Sequence, residues 1–283
     1  MSIRRLRYEM GARGAITSQD VKRHYDRWSL PFRLFWGEHL HQGLFLTGGE
    51  GPRQAQIQLL EFCCGLVEIR RSSLVLDVGC GYGGNAIHMV QKFDCRVEGL
   101  TISPKQGQIA VNRARRARVA DRIAIHVCDA ESAAFRGEYD LIWMMESSEH
   151  LHDKRGCIQK AARRLRPGGW LLVAAWAGSM SEPLVQEIAA RAVCPGFQTV
   201  EEYEAQMLGS GLRIATARDL SKGIMPTWDI CQRRVGWVGP LWRALPPRMR
   251  DYVGAIPLLI AALRSGLMSY IILVGQKPAC ENQ

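Results

Sequence analysis

No C-x-x-C pair occurs among the nine cysteines of the 283-residue chain, and the only neighbours are Cys63 and Cys64. The ligand spacing of a zinc site and the framework of a disulfide-stapled domain are both missing, which points to a reducing cytoplasm and predicts no metal site. Low-complexity segments and internal repeats are absent as well. The N-terminal stretch M-S-I-R-R-L-R-Y-E-M lacks the apolar core of a signal peptide. Long apolar runs are scarce. The longest, Tyr252 to Val274, is interrupted by Arg264 and contains Pro257 and two glycines, whereas a membrane span needs roughly 20 largely apolar residues. Acidic residues are outnumbered, 27 against 37 Lys and Arg, leaving a formal charge of +10. The excess sits in short runs: Arg4, Arg5 and Arg7; Arg113, Arg115, Arg116 and Arg118; Arg163, Arg164 and Arg166. The last two runs fall on helical patterns and read as solvated faces, with a membrane surface or an anionic substrate as the further partners such charge suits. No nucleic-acid motif accompanies it, so nucleic acid is not an expected partner.

What is present is an ordinary globular mix, 47% hydrophobic and 23% charged, sufficient for a sizeable core. Its most informative segment is V-L-D-V-G-C-G-Y-G-G, Val75 to Gly84. A short apolar strand runs into Gly79, Gly81, Gly83 and Gly84, with Asp77 two residues before the first of them. Glycines are required where a backbone turns sharply or approaches a ligand closely, and the arrangement marks a nucleotide-type cofactor at the end of a first strand. Strands are predicted at Ser72–Val78, Cys95–Ile102, Arg122–Cys128, Tyr139–Met145 and Trp170–Trp176. Helices lie between them at Gly84–Phe93, from Ser103-Pro104 to about Arg118, and at Asp153–Leu165, the last closed by the turn Arg166-Pro167-Gly168-Gly169. Alternation of this kind predicts a mostly parallel, doubly wound α/β sheet. Beyond it, helices are expected at Pro183–Val193, Val200–Gly209, Trp228–Leu245 and Tyr252–Leu263, and strands at Leu212–Leu220 and Tyr270–Gln276. Residues 17–70 are expected to be mainly helical. Three segments result: a cap at 1–70, a cofactor-binding core at 71–178, and a C-terminal part at 179–283 with cap helices and the last strands, all in one structural domain.

Gly79, Gly81 and Gly84 also satisfy the G-x-G-x-x-G of NAD enzymes, so the choice of cofactor falls to other segments. The second strand ends V-E-G-L-T-I-S, with Thr101 where dinucleotide enzymes place an acid on the ribose. The third ends Cys128-Asp129-Ala130, and L-R-P-G-G-W precedes the fifth. In this order the segments resemble the Rossmann-like class I methyltransferase fold, a seven-stranded sheet with helical cap elements. The resemblance implies S-adenosylmethionine as cofactor, S-adenosylhomocysteine as product and an EC 2.1.1 enzyme. A narrower likeness rests on Y-D-R-W-S (Tyr25–Ser29), W-G-E-H-L-H-Q-G (Trp36–Gly43), G-L-T-I-S-P-K-Q, M-E-S-S-E-H-L-H-D-K, G-I-M-P-T-W-D and the closing Y-I-I-L-V-G-Q-K-P. This pattern resembles the tocopherol C-methyltransferases and, more distantly, cyclopropane-fatty-acid synthases and sterol or isoprenoid C-methyltransferases.

On that resemblance the cofactor is expected at Asp77, Gly79, Cys80, Gly81 and Gly83, with Leu100, Thr101 and Gln106 toward the ribose and Asp129 and Ala130 toward the adenine. Tyr25, His41, Gln42, Met145 and Glu146 are expected to close over its methionine end. Methyl transfer depends on alignment of acceptor, methyl and sulfonium, and carbon methylation also requires removal of a proton. Glu146 leads as the catalytic group, followed by His150 and then His39. Trp228, Trp237 and Trp242, with Met225, Pro226 and Met249 nearby, are core residues or the wall of an apolar pocket. The expected reaction is carbon methylation of a hydrophobic phenolic or prenylated small molecule, by a cytoplasmic enzyme with peripheral membrane-surface contact. Methylation of oxygen or nitrogen in a natural product is the alternative, and a non-methylating relative such as a cyclase, or an NAD oxidoreductase, stands in another class.

Overall fold

The computed structural model describes residues 16–238 and 246–279. Arg4, Arg5, Arg7 and Trp242 lie outside the described residues, as does the side chain of Trp237. In chain order the elements are α1 (Ser18–Trp36), α2 (Pro52–Cys64), β1 (Leu74–Val78), α3 (Gly84–Phe93), β2 (Arg96–Thr101), α4 (Pro104–Arg116), β3 (Ile123–Val127) and β4 (Tyr139–Met145). There follow a 3-10 turn at Ser148–His150, α5 (Lys154–Arg164), β5 (Leu165–Gly178), α6 (Pro183–Arg191), α7 (Val200–Gly209), β6 (Arg213–Asp219), α8 (Ser221–Val238), α9 (Pro247–Ser265) and β7 (Met268–Gln276).

The seven strands form one sheet in the order β3-β2-β1-β4-β5-β7-β6. All neighbours are parallel except β7, which runs antiparallel to both β5 and β6. The order reverses between β1 and β4, and the crevice at the carboxyl ends of strands beside such a reversal is where doubly wound sheets bind ligands. The central strands are apolar throughout because both of their faces are covered. Val75, Leu141 and Leu172 face one core layer; Leu76, Ile142 and Val173 face the other, each 1% exposed or less. Each such side chain contributes about 1.5–3 kcal/mol by leaving water. The first layer also takes Leu59 and Leu60 of α2, Ile224 and Trp228 of α8, and Ile256 and Leu259 of α9. The cap helices are thus packed into the core of the sheet.

Three elements start five or more residues earlier than expected: β5, α8, and α9, which begins at Pro247 in place of Tyr252. Strand β5 begins at Leu165, so Arg166-Pro167-Gly168-Gly169 lies within it, accommodated by a register shift opposite Tyr139 and Leu141. Helix α8 begins at Ser221, seven positions before Trp228, and carries Pro226 inside it. The Asp219 carboxylate accepts from the Ser221 backbone N–H at 2.7 Å, a local turn at the entry to the helix. No helix among the described residues is long and apolar enough to cross a membrane. None of their His, Cys, Asp and Glu residues form a group of three or more that could hold a metal.

Candidate active site

The glycine turn closes β1 against the end of β2. The backbone N–H groups of Gly79 and Cys80 both donate to the Leu100 carbonyl, at 2.9 and 2.8 Å. Gly79, at φ +84°, needs its glycine twice over: a Cβ there would sit 2.4 Å from Ser147 Cβ. Gly83, at φ +70°, starts α3 with no side-chain cap, and an uncapped helix N-terminus suits an anionic group. The groove above this turn has about 950 Å³ of empty space, its open mouth included. Tyr25, His39, His41, Gly79, Cys80, Gly81, Leu100, Thr101, Gln106, Asp129, Ala130, Met145, Glu146 and His150 all line it. Thr101 Oγ1 donates to Gln106 Oε1 at 2.9 Å, and Ser103 caps α4 while donating to Asp26 at 2.6 Å, which holds α1 over the groove. Asp77 and Gly83 are not among the residues lining the groove, and Gln42 lines a second cavity instead.

Two polar atoms here lack a partner among the described residues: Asp77 Oδ2 and Ser147 Oγ, both buried. Burial alone pushes Asp77 up to about 7. A cation, or a donor such as an ammonium or ribose hydroxyl, supplies what such atoms lack. Neither could be satisfied by the apolar residues around the turn.

The second cavity, with about 830 Å³ of empty space including its mouth, is formed largely by Trp176, Ile188, Cys194, Phe197, Trp228, Tyr252, Ile256 and Leu259. Trp176 packs edge-on against Trp228, ring centres 5.8 Å apart. Tyr25, Leu40 and His150 line both cavities and form the neck between them. At the neck the Tyr25 hydroxyl lies 2.7 Å from His150 Nε2, and His150 Nδ1 lies 3.2 Å from the Val193 carbonyl. A carbonyl only accepts, so the proton sits on Nδ1 and Nε2 accepts from the tyrosine. Burial lowers His150 to about 4, which keeps the ring neutral at neutral pH. Burial raises the Tyr25 phenol well above its ordinary value, so it keeps its proton. Val193 ends α6 in the left-handed region, φ +57°, where glycine is the usual residue. The Cys194 N–H reaches back to the Ala189 carbonyl at 2.9 Å, completing the helix stop that aims the Val193 carbonyl at His150.

Glu146, at φ +49°, accepts three hydrogen bonds from the protein. Its Oε1 accepts from the Gln42 backbone N–H at 2.7 Å and the Tyr270 hydroxyl at 2.8 Å, and its Oε2 from Gln42 Nε2 at 3.4 Å. Burial raises it to about 8, with nearby Glu149 adding to the rise and the Gln42 N–H opposing it. The carboxylate ties the Leu40–Gly43 segment and β7 to the end of β4. His39 and His41 flank the Asn85 amide, 3.3 and 3.1 Å from its oxygen, and both face the groove, so His39 does not meet the second cavity. Asn85, Ser147, Trp176, Phe197, Cys194 and Tyr252 are site residues the sequence did not single out. Only Asn85 and Ser147 had a signal, by adjoining the glycine run and Glu146.

A methyltransferase-domain family model matches residues 75–169. The 27-O-demethylrifamycin SV methyltransferase of Amycolatopsis mediterranei is 32% identical over 226 residues, 77% of this chain and 82% of that protein. A probable chloroplastic tocopherol O-methyltransferase of Oryza sativa is 28% identical over 278 residues, 90% of this chain and 76% of its own. Among solved structures, the [4+2]-cyclase SpnF superposes with a TM-score of 0.80 at 22% identity, covering 94% of this chain and 98% of that one, a likeness of fold. The groove, its glycine turn and the uncapped helix fit a sulfonium cofactor with an amino-acid tail, and with these relatives the chain belongs to the class I S-adenosylmethionine-dependent methyltransferases.

Proposed function

We propose that the enzyme methylates a hydroxyl oxygen of an apolar, ring-bearing small molecule held in the aromatic chamber, with His150 as general base. The observation that carries this is the chain Tyr25–His150–Val193 at the neck. A base reached through the neck binds a hydroxyl there, which puts the acceptor oxygen where groove and chamber meet. S-adenosylmethionine supplies an electrophilic methyl group and leaves as S-adenosylhomocysteine. The neutral imidazole of His150 accepts the hydroxyl proton at Nε2 as the oxygen–carbon bond forms, and the Val193 carbonyl stabilises the imidazolium from the other nitrogen. Tyr25 yields its hydrogen bond to the incoming hydroxyl or relays the proton. The aromatic walls exclude water and orient the acceptor.

Glu146 serves this reaction by holding the Gln42 segment in place, since its Oε1 accepts from both the Gln42 N–H and the Tyr270 hydroxyl. The carbon methylation expected from sequence placed that carboxylate as the base. The names of the rifamycin and tocopherol relatives support an oxygen acceptor on a large apolar molecule. The test is incubation with methyl-labelled cofactor and a panel of alkylated and prenylated phenols and hydroxylated macrocycles, with products read by NMR. A labelled methyl ether is expected; a labelled methyl on ring carbon refutes the proposal.

A further inference from the structure

Three backbone carbonyls of the loop after β3 converge on one ammonium. Lys160, on α5, donates to the carbonyls of Ala130, Glu131 and Ala133 at 2.8, 2.8 and 2.9 Å. An ammonium has three N–H groups, so this one loop takes them all. The same Nζ stands 4.7 Å from the centre of the Phe135 ring, a cation–π contact within that loop. Lys160 itself lines neither the groove nor the chamber. Asp129, Ala130 and Glu131 do line the groove. In a trans peptide the carbonyl and the following N–H point opposite ways. Lys160 holds the Ala130 carbonyl on the α5 side, and the Glu131 N–H of the same peptide donates to Asp129 Oδ1 at 2.9 Å. The Ala133 N–H closes back on the Asp129 carbonyl at 2.9 Å. With Oδ1 taken, Oδ2 is the carboxylate oxygen left to accept from a ligand.

We infer that Lys160 is a positioning residue for recognition of the cofactor's base. By gathering three carbonyls it fixes the Ala130–Glu131 peptide, and through the N–H of that peptide it orients the Asp129 carboxylate that accepts from the adenine amino group. Selection of adenine thus depends on a side chain that does not touch the cofactor. A base with a carbonyl oxygen in place of the amino group offers the carboxylate no donor and sets two acceptors against each other, which a fixed carboxylate rejects and a freely turning one tolerates. Lys160 acts on the cofactor alone, whichever atom of the acceptor is methylated.

The test is displacement calorimetry of wild type and Lys160→Met with S-adenosylhomocysteine and with S-inosylhomocysteine, in which a carbonyl oxygen replaces the adenine amino group. Wild type is expected to prefer the adenine compound about 10- to 100-fold, the worth of one hydrogen bond to a charged group. Lys160→Met keeps the length of the side chain and removes its donors. Its affinity for the adenine compound is expected to fall about tenfold and that for the inosine compound by less than about threefold, so the preference shrinks. In turnover the cost is expected in the KM of the cofactor rather than in kcat. Equal binding of the two compounds by wild type overturns the inference, as does an unchanged preference in Lys160→Met. A loss shared equally by both compounds overturns it too, because a lysine that only holds the loop together would give that result. Where Lys160→Met fails to fold, Lys160→Gln is read for the same ratio, and the comparison on wild type stands in either case. Failure of the His150 proposal looks different: it leaves these cofactor affinities unchanged.

Discussion

Asp77→Asn should make the cofactor-free protein more stable at pH 8 and bind its cofactor less well. The acid is 2% exposed, and its Oδ2 has no partner among the described residues. Burial raises it to about 7, against an ordinary aspartate near 3.9, a difference of about three units. A group whose folded pKa lies above its unfolded value binds protons more tightly when folded. The stability it adds is complete below about pH 4 and is lost as pH rises through about 7. At 1.36 kcal/mol per unit, the loss between these limits approaches about 4 kcal/mol, an upper figure because water can relax around the charge. Asparagine keeps the shape and cannot ionise. Denaturant unfolding of wild type and variant at pH 5 and pH 8 should show a gap that widens in favour of the variant by about 2–4 kcal/mol, with other titrating groups cancelling in the difference. Calorimetry with S-adenosylhomocysteine should show weaker binding by the variant. A variant less stable than wild type at pH 8, or a gap independent of pH, would refute the claim that this acid is buried unpaired.

Other consequences follow from the same geometry. Glu146→Ala leaves the Gln42 N–H and the Tyr270 hydroxyl without their acceptor and should cost about 2–6 kcal/mol of stability, by urea unfolding, at 1–3 kcal/mol per orphaned group. Glu146→Gln preserves an acceptor for both and should keep a rate within about tenfold of wild type; a folded Glu146→Gln that has lost its rate would restore that residue as the base. The kcat/KM profile should rise with pH through the His150 value of about 4 and be flat near neutrality, and a limb at an ordinary histidine value near 6.5 would contradict the burial of that ring. Tyr25→Phe should lower kcat more than it weakens cofactor affinity, as measured by single turnover and calorimetry, because its hydroxyl acts at the neck.

The cofactor half of the site was legible because its chemistry is local. The glycines, Thr101, Asp129 and the residues around Glu146 follow strand ends, and strand ends can be read from apolar runs. The acceptor half was not. Trp176, Cys194, Phe197, Trp228 and Tyr252 come from β5, α8, α9 and the segment after α6, and only tertiary packing brings them together. The protein contacts of Glu146 were hidden for the same reason: Gln42 and Tyr270, which donate to it, lie 104 and 124 residues away. The turn that orients His150 has valine at its left-handed position, so the glycine that marks such a helix stop was absent from the sequence.

The central claim is that His150 accepts the acceptor's proton at the neck between the two cavities. Its most direct measurement is single-turnover methyl transfer by His150→Gln, with cofactor affinity measured on the same preparation. The account predicts a rate lower by about 10²–10⁴-fold with cofactor binding within a few-fold of wild type. A His150→Gln enzyme that transfers methyl at the wild-type rate would contradict it.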